Sequence, residues 1–213
     1  MQLFLRSCFI MVLFATCTTA KKAGSDAGWI PLFDGKTLTN WKASESPGTF
    51  SVDSGMIIVH GPRSHLFYTG PVRNADFKNF EFKASVMTTP GSNSGIFIHT
   101  AYQDDWPSKG YEIQVNNSHT DWRRTGSLYA VNDVRDVYVK DNEWYTESIK
   151  VENKHITIKI NDRTVVDYNE PDSVAQAVPA GGRRLSSGTF ALQGHDPKSK
   201  VYFKDVMVKP LAD

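Results

Sequence analysis

Short apolar runs separated by turn residues fill this chain from residue 28 onward. They recur at intervals of about 8–12 residues, which is typical of the strands of an all-β sandwich. Residues 49–52 and 56–59 flank the turn sequence DSG, and residues 144–151 and 155–160 flank ENK. Because both pairs have the pattern of a hairpin and no stretch has a clear helical periodicity, the sequence predicts an all-β domain.

The first twenty residues have the character of a secretory signal. Arg6 precedes the apolar run CFIMVLFA and the small residues TCTTA, and an apolar core of this size is too short to span a bilayer. The sequence FATC at 14–17 also resembles a bacterial lipoprotein box, which would attach lipid to Cys17. We therefore expect an exported protein, either periplasmic or a lipoprotein at the outer membrane or cell surface. A linker at 21–27 and one domain at 28–211 would follow.

Cysteine and charge content exclude several classes of protein. Both cysteines, Cys8 and Cys17, lie in the leader, so the domain has no disulfide framework, cysteine zinc site or cysteine nucleophile. The chain has 24 basic and 23 acidic residues, and this balance provides no field to attract nucleic acid. A small-molecule ligand is the partner we expect, and the sequence leaves the oligomeric state open.

The run GYEIQVN at 110–116 is the most informative single strand. Its period of two puts Glu112, Gln114 and Asn116 on one face and apolar residues on the other. A conventional sandwich glycosidase uses two carboxylates, whereas two of these three side chains are amides. The strand therefore suits binding of a polyol but lacks the usual acid pair.

A set of motifs in order along the chain resembles the 3-keto-disaccharide hydrolase domain family. They are LFDGKTLTNW (32–41), NSGIF (93–97), GYEIQ (110–114), TGSLY (125–129), EW (143–144) and GTFALQ (188–193) followed by His195. The resemblance covers residues 28–211 and implies a concanavalin A-like jelly-roll β-sandwich in an exported bacterial protein. It also implies action on glycosides already oxidised to a ketone at sugar C3. The chain departs from the family at Asn116 and Asn117, where an Asp is common, and this weakens a carboxylate metal site there.

A 3-keto-glycoside can be cleaved without an opposed pair of carboxylates. The ketone acidifies the hydrogen at C2, so that a base can remove it, the group at C1 can leave, and water can add back. This route needs a base near C2, a group that stabilises the enolate oxygen, and an acid for the leaving group.

Alternate residues of a strand share one face, and this rule identifies candidate groups for this chemistry. Gln193 and His195 share a face at the end of one strand, and His99 shares a face with Phe97 on another. We expect His195 or His99 to be the base or a ligand of a divalent cation, with Glu112 as partner acid or ligand. The remaining substrate-binding candidates, for hydroxyls, the ketone oxygen or the cleft wall, are Gln114, Gln193, Arg124, Tyr129, Trp106 and Trp122.

Other interpretations stay open at this point. The same face could bind a glycan without breaking it, as a carbohydrate-binding module does. A conventional glycosidase would need a second carboxylate, for which Asp133, Asp136 and Asp196 are available. We interpret His65 and His119 as structural or solvated, the pair Arg183-Arg184 as a solvated turn, and residues 169–182 as a rim or lid loop.

Overall fold

Strands make up nearly all regular structure in residues 27–172 and 183–212, the part of the chain that the computed structural model describes. Two short 3-10 helices, Pro47–Thr49 and Val72–Ala75, are the helical elements there. The all-β prediction is confirmed. The strands are β1 (Ile30–Pro31), β2 (Trp41–Ala43), β3 (Phe50–Asp53), β4 (Met56–His60), β5 (Ser64–Tyr68), β6 (Phe80–Thr88), β7 (Ser94–Thr100), β8 (Tyr111–Val115), β9 (Tyr145–Glu152), β10 (His155–Ile160), β11 (Arg163–Asn169), β12 (Thr189–Gly194) and β13 (Lys200–Pro210).

The predicted leader lies outside the described residues, and so does the predicted linker except for its last residue. Most of the predicted loop at 169–182 also lies outside them. These assignments stay predictions. Within the described residues, no helix has the length and apolar character needed to cross a membrane.

Two antiparallel sheets form the sandwich. The large sheet has the order β11-β10-β9-β6-β13-β4-β3, with β1 paired to β13, and the small sheet has the order β2-β5-β12-β7-β8. The core lies between the two sheets. Every second side chain of β6, from Phe80 to Val86, points into it and is fully buried. Phe190 of β12 meets this row, with its ring centroid 4.9 Å from Phe80 and 4.8 Å from Phe82. Each such buried phenylalanine contributes about 1.5–3 kcal/mol relative to an exposed one.

The pairing of β7 with β12 contains a bulge. Thr189 pairs with Thr100 and Ala191 pairs with Phe97, so β7 advances three residues where β12 advances two. The extra residue falls at Ile98 and His99, and His99 has a φ of 54°. Such a bulge changes which face the following side chains occupy.

The small sheet also carries apolar side chains on the face that points away from the core. Phe67, Phe97 and Ala191 form a cluster separate from the main core, and Tyr102 and Trp106 pack on it. We call Phe67, Phe97, Tyr102 and Trp106 the aromatic cluster, and the surface that carries it the outer face.

Candidate active site

The two faces of β8 differ as the alternation predicts. Tyr111, Ile113 and Val115 belong to the main core. Glu112 and Gln114 point to the outer face and yet are almost fully buried, at 2% and 1% exposure. Buried polar side chains are expensive unless they are hydrogen-bonded, so these two residues mark the outer face as more than a solvated surface.

Four strands align their side chains into one row on the outer face. Gln114 of β8 pairs with Gly95 of β7, and Gln193 of β12 pairs with His65 of β5. The register between β7 and β12 puts Gly95 beside Gln193. We call these four residues the polar row.

Glu112 fills the gap that Gly95 leaves in the polar row. A Cβ atom on Gly95 would lie 2.7 Å from Glu112 Oε1, and that oxygen accepts a hydrogen bond from Gln193 Nε2 at 3.2 Å. Glu112 Oε2 lies 3.8 Å from Arg183 Nη2. Burial raises the pKa of Glu112 to about 7, although the Arg183 charge and the Gln193 hydrogen bond oppose the rise. Glu112 can therefore act as an acid or as a base near neutral pH.

Several buried polar atoms of this region have no hydrogen-bond partner among residues 27–172 and 183–212. They are Glu112 Oε2, Gln114 Oε1, Gln193 Oε1 and both ring nitrogens of His65. More than nine in ten buried polar groups are normally paired. Their concentration on one face indicates a site for a ligand that both donates and accepts hydrogen bonds, as sugar hydroxyls do.

His65 lies at the end of the polar row and beneath the aromatic cluster. Its ring meets Phe97 and Trp106 edge to face, each at a centroid distance of 5.2 Å. Burial, with a smaller contribution from the Arg63 charge, lowers the pKa of His65 to about 3. His65 is therefore a neutral hydrogen-bonding group at physiological pH, and Trp106 packs on the outer face.

His195 follows β12 directly and is held by its neighbour in the chain. Its Nδ1 lies 2.8 Å from Asp196 Oδ2. Partial burial acts to raise the pKa of Asp196, but hydrogen bonds from His195, Ser199 and the Lys198 N–H outweigh it and lower the pKa to about 2. Asp196 is thus a carboxylate that orients the His195 ring.

His119 brings the loop after β8 to the same place. Its ring centroid lies 5.5 Å from that of His195, and its Nδ1 lies 3.4 Å from Asn93 Nδ2. Asn93 Oδ1 in turn accepts a hydrogen bond from Gln114 Nε2 at 2.9 Å. The polar row is therefore linked through Asn93 to the histidine pair.

His99 does not join Glu112 and His195, contrary to the expectation from strand parity. The bulge in β7 turns its ring to the core, where the ring meets Phe80 at 5.5 Å. His99 Nε2 lies 2.9 Å from the Lys78 carbonyl oxygen, and Nδ1 accepts the Ser186 N–H at 3.2 Å. Burial lowers its pKa. With both nitrogens bonded to backbone, His99 is placed as a structural residue.

Arg183, rather than the predicted Arg124, is the arginine that lies beside Glu112. Arg124 Nη1 donates to Asn116 Oδ1 and to the carbonyl oxygens of His119 and Asp121, at 3.2, 2.9 and 2.7 Å. Arg124 thus braces the loop after β8. Arg183, which we interpreted as part of a solvated turn, is instead the cation closest to Glu112 among the described ion pairs.

Tyr129 and Trp122 extend from the segment beside β8. The Tyr129 N–H donates to the Glu112 carbonyl oxygen at 2.9 Å, and the Tyr129 ring centroid is 5.4 Å from the Arg183 guanidinium carbon. Burial raises the pKa of Tyr129, so its hydroxyl stays a neutral donor. Trp122 is 40% exposed, and the guanidinium groups of Arg123 and Arg135 lie over its ring. Tyr129 therefore borders Glu112, whereas Trp122 lies toward the solvent.

The predicted cation ligands His99, Glu112 and His195 do not converge. Among the described residues, His119, His195 and Asp196 form the group of metal-binding type, with ligand atoms within 4.8 Å of one another. Asp196 Oδ2 already accepts hydrogen bonds from His195 Nδ1 and Ser199 Oγ, both at 2.8 Å. A cation here would have to displace these bonds, so the donor set fits a divalent ion poorly.

A strand that the sequence analysis did not identify explains why His65 was missed. The run SHLFY of β5 is aromatic and apolar, and it lies between the turn residues Gly61-Pro62 and Gly70-Pro71. That pattern is a usable strand signal. No comparable local signal exists for Arg183, because its contact with Glu112 joins residues far apart in the chain.

Comparison with known proteins identifies the family and the fold of this chain. The model of the 3-keto-alpha-glucoside-1,2-lyase-like domain family matches residues 28–209. A 3-keto-disaccharide hydrolase from Bacteroides thetaiotaomicron is 25% identical over 175 residues, which cover 67% of this chain and 59% of that protein. This chain therefore spans less than two thirds of the length of that relative.

Solved structures show the same fold. A candidate glycosyl hydrolase from Parabacteroides distasonis superposes with a TM-score of 0.75 at 22% identity, covering 91% of this chain and 98% of that one. The carbohydrate-binding module CBM66 from Bacillus subtilis gives a TM-score of 0.51 at 12% identity, covering 85% and 95%. The fold alone is thus common to proteins described as hydrolases and as binding modules. The match over residues 28–209 is more specific, and by it the chain belongs to the family of 3-keto-alpha-glucoside-1,2-lyase-like domains.

Proposed function

We propose that this protein is a carbohydrate-active enzyme that cleaves 3-keto-glycosides by elimination and hydration, with net hydrolysis of the glycosidic bond. The observation that carries the proposal is Glu112, a buried carboxyl group with a pKa of about 7 set among carboxamides. The 3-keto-disaccharide hydrolase from Bacteroides thetaiotaomicron supports the same substrate class.

The surroundings of Glu112 argue against a conventional two-carboxylate glycosidase. Such an enzyme needs a second carboxyl group facing the first across the scissile bond. Asp133 is bonded to Arg123 at 3.1 Å, Asp136 to the Tyr138 hydroxyl at 3.1 Å, and Asp196 to His195. None of these three carboxylates hydrogen-bonds with a residue of the polar row, where Glu112 is bonded to the Gln193 carboxamide.

The proposed reaction begins with proton transfer from C2. The C2–H bond breaks, its proton goes to a base, and the electron pair forms an enolate whose charge lies on the C3 oxygen. The enolate then expels the group at C1, and the departing oxygen takes a proton from an acid. The product has a double bond between C1 and C2, and water adds to it, with oxygen at C1 and hydrogen at C2. Each step needs one positioned proton donor or acceptor rather than a pair of carboxylates.

We assign the base to His195 and the acid to Glu112. Asp196 can stabilise the imidazolium that forms when His195 accepts a proton, as a buried carboxylate does in other histidine bases. Glu112 is protonated below a pH of about 7 and can then donate to the leaving oxygen. The free carbonyl oxygens of Gln114 and Gln193 would accept hydrogen bonds from sugar hydroxyls, and the aromatic cluster would pack against the sugar ring.

The test is aglycone release from a 3-keto-disaccharide and from its unoxidised parent. Purified protein should release the aglycone from the keto substrate alone, and Glu112→Gln should reduce the rate at least about 100-fold. Glu143→Gln is the matched control, because this glutamate is 65% exposed and pairs only loosely with Lys140. Release from neither substrate by the wild-type protein would remove the enzyme proposal.

A non-catalytic sugar-binding module is the second candidate. The unpartnered amide oxygens of Gln114 and Gln193 and the rings of the aromatic cluster favour it, because they could bind hydroxyls and a sugar face without any proton transfer. Calorimetric titration with the unoxidised and keto disaccharides separates the two candidates. Binding that survives in Glu112→Gln, together with no turnover by the wild-type protein, would favour the module.

A further inference from the structure

His119 and His195 come from distant parts of the chain and meet beside the polar row. Their ring centroids lie 5.5 Å apart with an interplanar angle of 67°. One ring nitrogen of each lies within 4.8 Å of the other and of an Asp196 oxygen. Both side chains are partly exposed, so a ligand can reach them from the solvent.

The hydrogen bonds of His195 fix the position of its ring hydrogen. Asp196, with a pKa lowered to about 2, is ionised and can only accept a hydrogen bond. Nδ1 of His195, 2.8 Å away, must therefore carry hydrogen. In the neutral ring Nε2 then has a free lone pair, as a general base requires.

The hydrogen bonds of His119 fix the opposite arrangement. The backbone N–H of Asp121 donates to His119 Nδ1 at 3.1 Å, and the Asn93 amide nitrogen lies 3.4 Å from the same atom. An amide N–H can only donate, so Nδ1 of His119 carries the lone pair. In the neutral ring the hydrogen is on Nε2, which makes this nitrogen a donor.

We propose that His195 and His119 work as a complementary pair on neighbouring carbons of a 3-keto-sugar. His195 Nε2 takes the proton from C2, while His119 Nε2–H donates a hydrogen bond to the C3 oxygen as it becomes an enolate. Neither donation nor acceptance needs a change of tautomer before the reaction, and a preorganised donor at the developing oxyanion lowers the barrier most. This inference rests on the proposed function and assigns the enolate stabiliser that it requires.

The pair can be tested apart from cleavage of the glycosidic bond. 1,5-Anhydro-3-keto-glucitol has hydrogen at C1, so it can lose the C2 proton but cannot expel an aglycone. In deuterated water the exchange of its C2 hydrogen, followed by proton NMR, measures enolate formation alone. The wild-type protein should accelerate this exchange above the buffer rate.

Substitution by glutamine should have a small effect on exchange at His119 and a large effect at His195. A glutamine amide group can imitate the Nε2–H of histidine as a donor but cannot take up a proton. His119→Gln should keep exchange within about tenfold of wild type, whereas His119→Leu should lose about 100-fold. His195→Gln should lose at least about 100-fold. Two-bond proton–nitrogen NMR correlations should directly show hydrogen on Nε2 of His119 and on Nδ1 of His195.

Several outcomes would refute the proposed roles of His195 and His119. Equal losses in His119→Gln and His119→Leu, in variants with unchanged thermal unfolding, would mean that His119 does not act as a hydrogen-bond donor. Exchange lost on chelation and restored by a divalent cation would make the histidines ligands instead. Cleavage of the keto-disaccharide that is unaffected by His119→Leu would refute the inference alone, whereas a wild-type protein that neither exchanges nor cleaves would refute the proposed function.

Discussion

Gln193 Nε2 lies 3.2 Å from Glu112 Oε1, so a carboxamide from β12 holds one oxygen of a buried carboxyl group on β8. The two strands are not neighbours, since β7 runs between them. The contact passes over Gly95, at the one position of the polar row that has no side chain. The orientation of Glu112 therefore requires a glycine at position 95, because a Cβ atom there would clash with the carboxyl group.

Gly95→Ala tests this dependence. The new Cβ would lie 2.7 Å from Glu112 Oε1 and would displace the carboxyl group from Gln193. We expect kcat/KM to fall at least about tenfold, which corresponds to about 1.4 kcal/mol of transition-state stabilisation. Thermal unfolding should change little, because the clash is with the end of a side chain and alanine is less flexible than glycine in the unfolded chain. Gly48→Ala is the control, since a Cβ there meets nothing within 4 Å; equal kinetics in both variants would contradict the prediction.

The pH dependence of turnover should report the ionisation of Glu112. Burial raises its pKa to about 7, so the carboxyl group is protonated below this pH and loses its proton above it. An acid that must donate to the leaving oxygen is active only when protonated, so kcat should fall as the pH rises through about 7. The charged groups that affect it are Arg183 and Arg123, which lower the pKa, and Asp121, which raises it. A rate that stays constant or increases from about pH 6 to about pH 9 would argue against Glu112 as the acid.

Removing the charge of Arg183 should shift the fall in kcat to a higher pH. The Arg183 guanidinium, 3.8 Å from Glu112 Oε2, stabilises the ionised carboxylate and opposes the effect of burial. Without it, Arg183→Gln should retain protonated Glu112 to a higher pH, so the fall in kcat should occur at a higher pH than in the wild-type protein. Arg184→Gln is the control from the next position, where the side chain is exposed. If kcat of Arg183→Gln falls at the same pH as in the wild-type protein, or at a lower pH, the electrostatic coupling between Arg183 and Glu112 is refuted.

Glu147 should make the folded protein less stable as the pH rises. This carboxyl group is fully buried in the sandwich, and in the part of the chain that the structure describes neither oxygen has a hydrogen-bond partner. The nearby Gly126 N–H is already bonded to the Gln114 carbonyl oxygen at 2.9 Å. Burial raises the pKa of Glu147 well above its ordinary value, so the folded state binds a proton that the unfolded state has lost at neutral pH. The stability that the bound proton provides is present below the unfolded pKa of about 4.3 and declines above it.

Glu147→Gln isolates this contribution because glutamine does not ionise. We expect the Tm of the variant minus the Tm of the wild type to increase between about pH 5 and about pH 8, since all other titrating groups are common to both proteins. Differential scanning calorimetry across this range provides the measurement. Two curves that run parallel with pH would show that Glu147 is ionised in the folded protein or that its pKa is ordinary.

Local alternation identified most of the longer strands and the two faces of β8, although it did not identify β5. The sequence GYEIQVN predicted that Glu112 and Gln114 lie opposite Tyr111, Ile113 and Val115, and the structure has this arrangement. The reason is that a strand has a side-chain period of two, so the face of a residue follows from its neighbours in the chain. The same rule was wrong for His99, because the bulge inserts one residue into β7 and no local signal marked it.

The sequence by itself determined the all-β fold, the family and the polar face of β8, because each of these is written in short-range patterns or in motifs that follow one another along the chain. Only the tertiary structure decided which residues meet Glu112. Gln193, Gly95 and Arg183 reach it through strand register and loop packing between distant segments. Register is set by the fit of whole strands across the sheet and by the bulge between β7 and β12, and a period of two contains no information about either.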